Sequence, residues 1–132
     1  MQTPVDICWG HGTAQPSSRA ELDAILALVR ARGVPETVYM RNAARECLAF
    51  GIGFGASAVS FADAAGRTSL SHGDPSLADA PDVTVRDGVT PATARTLVRE
   101  SEAIAAAHEF LTNGGRPSAV AWADDAHPPR RA

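Results

Sequence analysis

Lysine is missing from this chain of 132 residues, and arginine supplies all twelve of its basic groups. Fifteen acidic residues outweigh them, for a formal net charge of −3. The basic excess expected of a nucleic-acid-binding face is therefore absent, leaving a protein partner or a small ligand open. Cysteine is scarce. Cys8 and Cys47 are the only two, each in a stretch that reads as strand, and two isolated thiols without an export signal are expected to stay reduced and packed. The opening residues, MQTPVDICWG, lack the basic and then apolar regions of a signal peptide. Long hydrophobic runs are missing too. The longest uncharged stretch, Cys47–Ala62, is sixteen residues interrupted by three glycines and two serines, too short and too broken to cross a bilayer. The expectation is a cytoplasmic protein with no membrane contact and no direct contact with nucleic acid. Its length suits one domain able to bury a core without staples.

Two helices stand out. Ser18 and Glu21 have capping-box spacing, and Leu22, Ile25, Leu26 and Val29 then recur on one face. Gly33 and Pro35 stop the pattern, so a helix is expected over Arg19–Arg32. A second is expected over Glu102–Thr112, capped by Ser101 and ended by Asn113-Gly114. Its inward stripe is Ile104, Ala107 and Leu111, widened by Ala103 and Phe110.

The remainder reads as strand and turn. Thr3–Trp9 alternates and Gly10-His11-Gly12 turns. Thr37–Arg41 presents Val38 and Met40. Glu46–Phe54 sets Leu48, Phe50, Ile52 and Phe54 against a face of small residues that a partner can approach closely. Ala56–Asp63 and Thr68–His72 follow, joined by Ala64–Arg67; Gly73–Pro81 is loop by composition. Short strands are expected at Asp82–Arg86 and Arg95–Val98, with a turn over Asp87–Ala92 between them, and a last one where Val120 and Trp122 alternate with Ala119, Ala121 and Ala123. The fold class is α+β: a mostly antiparallel sheet of about six to seven short strands with two helices packed on one face. Residues 1–126 form the domain, and His127–Ala132 a disordered tail.

The run SEAIAAAHEFLTNGGRPSAVAWADD, Ser101–Asp125, joins helix, Gly-Gly stop, Arg-Pro turn and Trp-bearing strand. It resembles the C-terminal signature of the family-one immunity proteins of bacterial polymorphic toxin systems. The order of early helix, β-meander and terminal helix extends that likeness along nearly the whole chain. The resemblance implies a non-enzymatic protein that binds and inhibits a cognate toxin, one-to-one, by occluding its active site. It further implies a nucleic-acid-targeting toxin, often a deaminase-fold enzyme acting on DNA cytosine, with nucleases as another class. Arg116, Pro117 and Trp122 are read as determinants of the fold, Trp122 filling the core under the last helix.

Other constellations carry less. Gly51–Gly55 has glycines in the manner of a phosphate loop, but strand rather than helix follows. Cys8 and His11 lack a second ligand pair, so no metal and no cofactor are expected. His72 with Asp74 leaves a small hydrolase open, and a toxin-unrelated interaction module is the other alternative. Asp74, Asp79, Asp82 and Asp87 cluster on a Pro/Gly-rich segment. They are either solvated turn residues or a negative surface for an electropositive toxin. With Phe54 and His72 near the same strand ends, they are the candidate partner-binding residues.

Overall fold

The computed structural model of the chain describes residues 4–10, 12–33, 36–53, 57–71, 83–84, 91–92 and 97–122. Alternation builds β1 (Val5–Trp9), which buries Val5 and Ile7 and turns Asp6 and Cys8 outward. The exposed Cys8 departs from the expected packed thiol, because odd and even residues of a strand face opposite sides. β1 pairs with β2 (Gly12–Ala14). Three residues are too few to show alternation, so this strand was not legible. Helix α1 (Arg19–Ala31) follows. The Glu21 N–H donates to Ser18 Oγ, as the capping spacing requires. The Glu21 carboxylate accepts instead from the N–H and hydroxyl of Ser17, one residue earlier than a capping box places it.

β3 (Glu36–Asn42), β4 (Cys47–Ile52) and β5 (Ser57–Ala62) form the centre of the sheet, and β6 (Thr68–Leu70) lies beside β5. The order is β2-β1-β3-β4-β5-β6, with every pairing antiparallel. The outer edge of β5 is shared: β6 pairs with Ser60–Ala62, and β9 (Leu97–Val98) with Ser57 and Ala58. β7 (Val83–Thr84) and β8 (Pro91–Ala92) pair as a separate two-stranded sheet. Pro91 and Ala92, expected within a turn over Asp87–Ala92, are strand instead, and Asp87–Thr90 lie outside the described residues. The fold is α+β, as the patterning requires.

Register aligns the core. Ile7 stands opposite Met40, Met40 opposite Leu48, and Leu48 opposite Phe61, all buried on one face. Both helices cover that face. Leu22, Leu26 and Val29 of α1 are buried, and from α2 (Glu100–Asn113) so are Ala103, Ala106, Ala107, Phe110 and Leu111. Ile25 and Ile104, expected inward, sit at the margin against the core. The alanines let α2 approach the sheet closely, so the large ring of Phe110 carries much of the contact.

The second helix begins two residues before expectation, and Ser101 is inside it rather than its cap. Arg99 takes the N-cap position, and its backbone N–H donates to the Glu102 carboxylate. At the other end Gly114 and Gly115 both have positive φ, 67° and 74°, which glycine adopts at little cost. Of the strand expected over Ala119–Ala123, the described residues form one bridge, Ser71 to Trp122. The Trp122 indole N–H donates to the Pro117 carbonyl at 2.7 Å, and the Ser118 N–H to Glu109 at 2.7 Å. Those bonds tie 117–122 back to itself and to α2, and Val120 and Trp122 are buried in the core.

One carboxylate ties distant parts together. Glu46 accepts from the Asn42 side chain at 2.8 Å and from the Gly115 N–H at 3.0 Å. It joins the β3–β4 turn to the end of α2. In that turn Arg45 has φ 66°, a left-handed conformation that costs a non-glycine residue about 1–2 kcal/mol. Glu46→Ala leaves two donors unmatched and is expected to lower stability by about 1–3 kcal/mol in chemical denaturation. Arg45→Gly is expected to raise it by a few tenths to about 1 kcal/mol, read as a higher melting temperature.

Candidate interaction surface

Among the described residues no His, Cys, Asp or Glu cluster of three or more is arranged to hold a metal. The serines nearest the His72–Asp74 pair are structural. Ser71 is fully buried, its hydroxyl accepting from the Val59 N–H at 3.0 Å. Ser69 accepts from the Arg116 guanidinium at 3.3 Å. Phe54, His72, Asp74, Asp79, Asp82 and Asp87 lie outside the described residues, as does His11. Around them the frame is clear. Gly53 and Ser71 flank two of the gaps, and β7 comes up against β5.

The acids of the framework are already engaged. Asp6 accepts from Gln15 at 2.6 Å, and Asp23 lies 2.6 Å from His108 Nε2. Glu100 pairs with Arg30 and accepts from the Gly53 N–H. Glu21, Glu46, Glu102 and Glu109 serve Ser17, Asn42 with Gly115, Arg99 and Ser118 respectively. Asp63 accepts the Arg67 backbone N–H, which chiefly holds its carboxyl below the usual range; the Ala65 N–H and the Arg67 guanidinium act the same way against slight desolvation. Among the described residues Glu36 has Arg32 as its ion-pair partner, at 3.7 Å. Each of these acids thus has a structural partner, and where the donor is neutral the carboxylate keeps its charge.

Small residues on the helix-free face of β4 were expected to lie open to a partner. Ala49 and Gly51 are buried there, however, and so are Ala58 and Ser60 beside them. This part of the face is covered, with β7 against β5. The open part lies across β1, β2 and β3, where Asp6, Cys8, Thr13, Gln15, Tyr39, Arg41 and Cys47 line a groove of about 720 Å3. Alternation at Thr37, Tyr39 and Arg41 was the sequence signal for that polar face, and it went unused. Cys8 is opposite Tyr39, and Cys47 opposite Arg41. With strands about 4.8 Å apart, the two thiols stand too far apart for a bond.

The C-terminal signature has a structural role. Trp122 is 3% exposed and meets Phe61 edge-on, with centroids 6.4 Å apart; Phe61 meets Phe110 in the same way. The Arg116 guanidinium lies 5.5 Å over the Trp122 ring, an attraction of about 0.5–2 kcal/mol. Helix, turn and tryptophan are thereby one packed unit, as the sequence pattern implied.

The family model described as Immunity protein Imm1 matches residues 10–124. The chain belongs to that family. It is therefore an immunity protein, one that acts against a toxin. No curated protein and no solved structure matches it. None of the described helices is long and apolar enough to cross a membrane. For an immunity protein built this way, Trp122→Ala is expected to cost about 3–5 kcal/mol of folding stability through the cavity it leaves. Toxin affinity per folded molecule should hold, as measured by a binding titration; a normal melting temperature with lost binding would place Trp122 at the interface.

Proposed function

We propose that this immunity protein neutralises its cognate toxin by binding it one-to-one in the cytoplasm and covering the active site, without catalysis of its own. The toxin is of the nucleic-acid-processing kind, a deaminase-fold enzyme or a nuclease. Such an enzyme needs a basic groove, and an acidic inhibitor is steered to it and can stand in for phosphate. The observation that carries this reading lies in the sequence: Asp74, Asp79, Asp82 and Asp87 fall within fourteen positions and are opposed there by Arg86 alone, with Phe54 and His72 as neighbours in the chain.

Replacing those four aspartates by asparagine tests it. Rim charges act mainly on encounter, so association with the cognate toxin domain is expected to slow and its salt dependence to flatten. Stability should change by no more than about half a kcal/mol per site. An unchanged association rate at low salt would remove the acidic segment from the interface.

A further inference from the structure

Where β1 ends and β3 begins, the chain holds a pocket of about 380 Å3 lined in part by Trp9, Gly10, Glu36 and Tyr39. Two bare backbone positions shape it. A side-chain carbon on Gly10 would lie 2.6 Å from Glu36 Oε1, and one on Gly12 would lie 2.7 Å from the Trp9 ring. Glycine at these positions lets the carboxylate rest against residue 10 and the indole against residue 12.

Glu36 is anomalous among the described acids. Its side chain is 8% exposed, and Oε2 is buried without a hydrogen-bond partner. The nearest cation, Arg32 Nε, is 3.7 Å away, outside hydrogen-bonding distance. A carboxylate oxygen withdrawn from water without a donor is costly. The Arg32 side chain is 43% exposed and meets Glu36 at long range, the one ion pair of either among the described residues, so an incoming group can displace it.

We infer that this pocket receives an arginine side chain of the protein partner, whose guanidinium donates to Glu36 and lies against Trp9 and Tyr39. A planar guanidinium supplies the missing donors and is drawn to aromatic faces. That the partner is the toxin rests on the function proposed above; the chemistry of the pocket does not.

N-acetyl-arginine amide, with the uncharged citrulline amide as control, is titrated into the full chain while the Trp9 indole N–H resonance is followed. The arginine probe is expected to shift it saturably, the citrulline probe not, and Glu36→Gln to weaken binding about tenfold. Gly10→Ala, which pushes the carboxylate aside, should weaken it likewise and serves if Glu36→Gln fails to fold. Equal response to citrulline, or unchanged binding in both variants, overturns the pocket. With the toxin, Glu36→Gln is expected to raise the dissociation rate about tenfold. An unchanged rate in a variant that has lost the arginine probe overturns the toxin as the source of the side chain. If the toxin does not bind the unaltered protein at all, the proposed function fails, and the probe titration still decides the pocket.

Discussion

The row Ile7, Met40, Leu48 and Phe61 crosses four strands and stays out of water only while the antiparallel register holds. A slip of one residue would turn each of these side chains to the other face, at a cost of roughly 1.5–3 kcal/mol apiece. The two helices lie where they do because that face must be covered. Most polar features of the fold are consequences of bringing the helices there. Glu46 can reach Gly115 only because α2 ends over the β3–β4 turn, and Glu100 can bind both Arg30 and Gly53 only because α1, α2 and the end of β4 converge.

The outer edge of β5 shows the same dependence. One strand covers each half of it, and between them the hydroxyl of Ser71 takes the Val59 N–H. Buried backbone donors must be matched. Ser71 is thereby a component of the sheet. Trp122 closes the same edge through its bridge to Ser71 and its contact with Phe61. The residues that carry the family signature are those that complete the core.

Most carboxylates of the described framework have a structural task, capping a helix or clamping a turn. Glu36 is the exception within the framework, a carboxylate against bare backbone with one distant cation. The helix-free face divides similarly. Ala49 and Gly51 are covered, while Tyr39 and Arg41 line an open groove.

Periodicity in the chain was enough for both helices, the central strands and the inward residues Val38, Met40, Leu48 and Phe50, because each element had the length to repeat its pattern. Glycine was enough to mark the end of α2. Short elements escaped: β2 has three residues, β8 has two, and Trp122 contributes a single bridge. Capping was misplaced, since Glu102 bonds to Arg99 and leaves Ser101 inside the helix. Pairings over long chain separations, such as Glu46 with Gly115 and Glu36 with Gly10, have no local signature, because nothing in the spacing of residues says which strand ends will meet. Local chemistry therefore settled which segments are helix and strand and which faces turn inward; packing against distant segments settled which acids are engaged, which face stays open and where a pocket forms.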